Sequence, residues 1–164
     1  MGAEMGEFLV GAFLKIVEKC DFISYNVRPP GGGLKGLEEL DVVGLQFASR
    51  TAFLCEVTTH IGGLLYGDRV STVQHIASKH LRQKTYAETQ LRDFPNRRYQ
   101  FWSPVVPNGY LTKHLAEIDP DLELVINAEY KTRIHTLQQE ARKRKNDENN
   151  PAFRLLQILA HMRD

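Results

Sequence analysis

At 164 residues, 42% of them hydrophobic and 25% charged, the chain has enough material for one packed core and no compositional sign of disorder. A formal net charge of +1 does not announce a nucleic-acid binder, although it leaves room for a local basic patch. The two cysteines, Cys20 and Cys55, have no metal-ligand spacing and read as small buried thiols of a reducing compartment. No apolar run reaches the length of a membrane span, and Met1 to Gly6 lacks the basic-then-apolar pattern of a signal peptide. The expectation is one cytoplasmic domain over 1–164, with a helical extension from about residue 129.

In chain order, Met5, Leu9, Phe13, Ile16, Val17 and Cys20 recur at helical spacing and predict a helix from Glu4 to Cys20. Phe22 to Arg28 reads as a strand, stopped by Pro29-Pro30 and a loop at Gly31-Gly32-Gly33. Glu39 to Leu45 and Thr51 to His60 are two further strands, joined across Gln46 to Arg50 as a hairpin. Gly62-Gly63 and Gly67 break the pattern before a long helix, Val70 to Asp93. A strand at Tyr99–Val106, a short helix at Gly109–Ile118 and a strand at Leu122–Asn127 follow. A polar helix over Glu129–Lys145 and an amphipathic one over Pro151–Met162 close the chain, with Asn146 to Asn150 as a polar turn between them. The order α-β-β-β-α-β-α-β-α-α predicts an α/β fold, a mixed sheet flanked by helices.

The hairpin carries the chemistry. Side chains alternate faces along a strand, so Glu39 and Asp41 share one face, as do Glu56 and Thr58 on the partner strand. Acidic groups on strands that otherwise look buried are costly unless something pairs with them, and a divalent cation is the obvious partner. Asp41, followed on the next strand by Glu56-Val57-Thr58, resembles the motif of the PD-(D/E)xK superfamily, the restriction-endonuclease-like nucleases. There an Asp at one strand's end is followed by Glu-x-Lys on the next. The similarity runs from about Gly6 to Leu91 and includes Glu7, which stands where an auxiliary glutamate is often found on the opening helix.

That resemblance implies a restriction-endonuclease-like core and a metal-dependent nuclease acting on DNA, less readily on RNA, with Mg2+ or Mn2+ held by Asp41 and Glu56. The departure is Thr58, which occupies the lysine position. Some members of the superfamily supply the lysine from the following helix, where this chain offers two. Lys79 stands about where a relocated lysine is expected. Lys84 has the better geometric case: with Val73, Ala77, His80, Ala87 and Leu91 it falls on one helical stripe, where a charge must snorkel out or meet an anion. If neither reaches the site, the chain is a non-cutting relative that binds nucleic acid or a protein.

Other features read more plainly. His75 and His80 are five residues apart, not the four that align two zinc ligands, and Gly62-Gly63 lacks the lysine and spacing of a phosphate loop. His60 reads as polar surface and Glu39 as a solvated edge residue. Arg82, Arg92, Arg97 and Arg98 lie near Tyr99, Phe101 and Trp102, a mixture that suits phosphate and base contacts, although the aromatics fit a core equally well. Arg142 to Lys145 reads as a solvated helix end. The final helix has an apolar stripe (Phe153, Leu155, Leu156, Ile158, Leu159 and Met162) expected to pack on the core, with a homodimer as the other use.

Overall fold

The structure is a computed structural model that describes residues 2–31 and 39–164; the remainder of the Gly31–Gly33 loop lies outside the described residues. Its elements are α1 (Met5–Ile16), β1 (Phe22–Val27), β2 (Leu40–Gln46), β3 (Thr51–Val57), α2 (Arg69–Gln90), β4 (Asn96–Ser103), α3 (Tyr110–Ala116), β5 (Leu122–Ile126), α4 (Asn127–Lys143) and α5 (Pro151–His161). This is the expected order. The five strands form one mixed sheet in sequential order, β1 to β3 antiparallel and β3 to β5 parallel. None of the described helices is long and apolar enough to cross a membrane.

Alternation along the strands divides the core in two. Val42, Phe53, Cys55 and Trp102 face α1 and α4, where they meet Val10, Phe13, Leu14 and Tyr130. Val43, Ala52, Leu54 and Phe101 face α2 and α3, where they meet Ile76, Ala87, Leu111 and Leu115. A third cluster, Ala12, Ile16, Leu137, Ala141 and Phe153, joins α1 to α4 and α5 outside the sheet.

Several boundaries move for physical reasons. α1 stops at Ile16 rather than Cys20 because Lys19 turns left-handed at φ 62°, and the Cys20 N–H reaches back to the Leu14 carbonyl at 2.9 Å. β4 begins at Asn96 rather than Tyr99, since pairing with β3 draws the polar Asn96–Arg98 into the ladder. It ends at Ser103, before Pro104. α4 begins at Asn127, whose side chain grips both backbone groups of Val106, accepting its N–H at 2.8 Å and donating to its carbonyl at 2.9 Å. β3 ends at Val57, although the Thr58 N–H still donates to the Trp102 carbonyl at 2.9 Å.

α5 departs most from expectation. Phe153 is buried and Leu156 half-buried, but Leu155, Ile158, Leu159 and Met162 are exposed. The cause is Gln157, 2% exposed, whose amide donates to the carbonyls of Arg144 at 3.1 Å and Asn146 at 2.9 Å. Satisfying those two carbonyls turns the polar residue inward and rotates half of the apolar stripe into solvent.

Candidate active site

β2 and β3 are adjacent and antiparallel, with Val42 opposite Cys55, so the next residues along, Asp41 and Glu56, come together at the end of the hairpin. Asp41 Oδ2 accepts the Val57 N–H at 2.8 Å. Both carboxyls sit on the sheet face that α2 covers. Glu56 is 4% exposed; its Oε1 lies 2.5 Å from Lys79 Nζ, and its Oε2 is buried without a hydrogen-bond partner.

α2 delivers Lys79 because its buried face is turned from the predicted stripe: His80 and Ala87 are buried as expected and Val73 and Leu91 pack at the margin, but the centre of the face lies elsewhere. The residues it buries are Thr72, Ile76, His80, Gln83 and Ala87. Thr72 goes in because its hydroxyl donates to the Asp68 carbonyl at 2.7 Å and accepts the Tyr66 N–H at 2.8 Å. Gln83 goes in because its amide donates to the carbonyls of Leu54 at 2.9 Å and Gln100 at 3.1 Å. That phase places Lys79, with a side chain only 13% exposed, one turn from Ile76 and against Glu56. Lys84 goes elsewhere: Nζ lies 2.7 Å from Asp119 Oδ2 and 3.8 Å from Asp121 Oδ2. The expectation that favoured Lys84 is corrected, since its anion is Asp119, in the α3–β5 connection, and not the hairpin pair. His80 belongs to the same cluster, its ring nitrogens 3.0 Å from Gln83 Oε1 and 2.9 Å from Asp119 Oδ2.

Glu7 is buried on α1, and its Oε2 accepts the Glu4 N–H at 2.8 Å, closing the first turn. Gly6 allows this approach: a Cβ there would stand 2.3 Å from Thr59 Cγ2. The electrostatics bind Glu7, Asp41 and Glu56 into one acidic group. Burial, then Asp41, pushes Glu56 up to about 8, against the opposing pull of Lys79. Burial raises Asp41 as well, partly offset by the Val57 N–H and Lys79. Glu7 rises to about 7 through burial, partly offset by the Glu4 N–H it accepts and reinforced by the charge of Asp41.

The other singled-out residues take structural places. Thr58, 7% exposed, donates its hydroxyl to Ser103 Oγ at 2.9 Å. Arg28 Nε donates to Glu39 Oε1 at 2.7 Å, so Glu39 is paired rather than a free edge charge. Arg97 donates to the carbonyls of Phe94 and Leu91 behind α2, while Arg98 forks onto Glu123 at 3.1 and 2.6 Å. Both stand near the start of β4, toward the end of the sheet away from Glu56, and Tyr99, Phe101 and Trp102 are buried in the core.

One neighbour of the site gave little signal in the sequence. Tyr66, in the β3–α2 loop, contacts the rings of His60 and His75, and the charges of Glu56 and Asp41 help to raise its pKa. It is an isolated tyrosine outside any periodic element, and only its place after Glu56 and before the lysine helix could have marked it.

The fit of the group to a cation turns on its unused oxygens. Among the described residues no three His, Cys, Asp or Glu side chains are spaced as a complete metal site. Asp41 and Glu56 nevertheless present two hard oxygen donors, one buried and unpartnered, in a cluster whose charge is uncompensated enough to hold protons near neutrality. Mg2+ is commonly held by one or two carboxylates with water and substrate phosphate completing its shell, and two carboxylates fit that requirement. No protein family, curated protein or solved structure matches the chain.

Proposed function

We propose that the protein is a metal-dependent nuclease with a restriction-endonuclease-like core, hydrolysing phosphodiester bonds in DNA, with RNA as the lesser candidate. The observation that carries this reading is the Lys79–Glu56 contact at 2.5 Å: an ammonium from α2 beside the carboxylate at the hairpin's end, where Thr58 cannot supply one. Asp41 and Glu56 would hold Mg2+ or Mn2+, with the Val57 carbonyl as a further candidate ligand. Such an ion, when bound, lowers the pKa of coordinated water and offsets phosphate charge.

The remaining roles belong to the chain. Lys79, its side chain and that of Glu56 largely withdrawn from water, orients the attacking water and donates to the oxygen on which charge builds. Asp41 is oriented at the hairpin's end by the Val57 N–H. Glu7, with its proton exchange near pH 7, is placed to relay a proton at the edge of the group.

The test is cleavage of labelled single- and double-stranded DNA and RNA with Mg2+ or Mn2+. Asp41→Ala, Glu56→Ala and Lys79→Ala should each lose activity by on the order of 100-fold or more, whereas Lys84→Ala should keep it. Activity that survives both carboxylate changes would overturn the reading. A second reading, a non-cutting module of the same fold that binds nucleic acid or a protein, draws on the lack of a third close ligand among the described residues. It predicts binding without cleavage under either metal.

A further inference from the structure

The loop between β3 and α2 holds a phenol that the roles above leave unused. Tyr66 is fixed through its backbone by the 2.8 Å bond to Thr72 Oγ1, and the chain turns away at once through Gly67, whose φ of +73° suits glycine. Its ring contacts two imidazoles. The His75 ring stacks on it with centroids 4.0 Å apart and planes 28° from parallel, and the His60 ring tilts at 50° with centroids 4.9 Å away. His75 lies one turn before Lys79 on α2, so the ring is fastened to the same helical segment that brings the ammonium to Glu56.

The hydroxyl is not fastened. Among the described residues it makes no hydrogen bond, whereas the hydroxyl of Tyr25 receives one from Asn150. The oxygen is not one of the buried polar atoms left without a partner, so it is open to an arriving group, while the stacked ring holds it against the helix that carries Lys79. Burial, then Glu56, Asp41 and Glu4, raises its pKa above the ordinary tyrosine value, so the group is a neutral donor near neutral pH.

We propose that Tyr66 is a further catalytic residue of this site, its hydroxyl donating a hydrogen bond to a non-bridging oxygen of the scissile phosphate. The proposal rests on the nuclease reading. Tyr66 forms no covalent bond and keeps its proton; it supplies a directed donor where negative charge gathers in the transition state, complementing Lys79. His60 and His75 act through it as positioning residues.

The decisive variant is Tyr66→Phe, which keeps the ring and its stacking and removes only the hydroxyl. In steady-state cleavage of a labelled oligonucleotide, kcat should fall about 10- to 100-fold while KM and the melting temperature hold. His75→Ala should lower kcat in the same direction, and His75→Phe, which restores a stacking ring, should recover most of it. A second readout uses protein labelled with 13C at the tyrosine ζ carbons and carrying Glu56→Gln. Adding a phosphorothioate oligonucleotide should move the Tyr66 resonance, assigned by its loss in Tyr66→Phe. If cleavage needs Asp41 and Glu56 but Tyr66→Phe cuts at the wild-type rate, this proposal alone is overturned. If Tyr66→Phe instead raises KM and lowers the melting temperature with kcat unchanged, the residue is structural and the proposal fails. Wild type that cuts nothing with either metal overturns the nuclease reading and this inference with it.

Discussion

At Glu56 a carboxyl group has left water almost completely, with one oxygen on Lys79 and the other on nothing. A buried carboxylate in that state is held partly by a proton, and the sign of the consequence can be worked out. Its folded pKa, about 8, lies above the ordinary 4.5, so its contribution to stability is complete below 4.5 and is lost as pH rises through 8. Glu7, raised to about 7, acts in the same sense over a narrower window. Metal-free protein should therefore lose stability between about pH 5 and 8, and Glu56→Gln, neutral at every pH, should gain on wild type by more than about 1 kcal/mol above pH 8. Chemical denaturation across that range checks it; parallel curves for the two proteins would refute it. If Mg2+ or Mn2+ binds here it must displace protons, so its affinity should rise with pH over the same interval, measurable by calorimetry in two buffers of different ionisation enthalpy. Lys79 and Lys84 offer a sharper contrast. Lys84 is a third exposed, so Lys84→Met should change stability little and leave the hairpin carboxylates untouched. Lys79→Met should leave Glu56 without its cation and raise the carboxyl's pKa further, which 13C titration of the glutamate carboxyls would reveal.

The element scale explains why one lysine was legible and the other misjudged. The hairpin could be read because Val42, Phe53 and Cys55 alternate with Val43, Ala52 and Leu54 between two buried faces, and a slip of one residue would exchange those faces. Asp41 and Glu56 stand out in the sequence through their resemblance to a motif, and the register is what sets them side by side. α2 could be recognised as a helix but not rotated correctly, because a count of apolar residues cannot foresee that Thr72 and Gln83 enter the core on hydrogen bonds to Asp68, Leu54 and Gln100. Choosing Val73, Ala77 and Leu91 as the inner stripe turned the wheel far enough to favour Lys84. The same limit hid Gln157 in α5 and so the exposure of Leu155 and Ile158. α1 sets a different constraint, a close approach. Gly6→Ala would place a methyl 2.3 Å from Thr59 Cγ2, lift the first turn that carries Glu7, and cost about 1–3 kcal/mol. Thr59 is exposed, and Gly6→Ala combined with Thr59→Ala should recover most of the loss, because the obstructing atom is then gone. A double-mutant cycle by denaturant titration reads this coupling directly.

Across the whole molecule, the acidic group stands at the meeting of two layers: the hairpin and α2 on one side of the sheet, and the N-terminal turn of α1 on the other. α1 is held from behind by the far end of the chain. Asn150 caps α5 by accepting the Phe153 N–H at 3.0 Å, and its amide reaches the Phe8 carbonyl of α1 at 2.8 Å. Phe153, fully buried among Ala12, Ile16, Leu137 and Ala141, fills the space between α1, α4 and α5. Placement of Glu7 therefore depends on residues near the opposite terminus, a dependence visible only once the chain is folded. Asn150→Ala removes a helix cap and the tether from α5 to the Phe8 carbonyl, and should lower stability by about 1–2 kcal/mol. Because the bond it breaks lands on the residue after Glu7, it should also lower cleavage at temperatures where the variant remains folded. Leu159→Ala, on the same helix but exposed, is the control and should stay within about 0.5 kcal/mol of wild type with unchanged cleavage. Melting curves and cleavage rates for both variants distinguish the two cases. If Asn150→Ala lost stability with no change in rate, α5 would be a structural brace alone and the position of Glu7 independent of it.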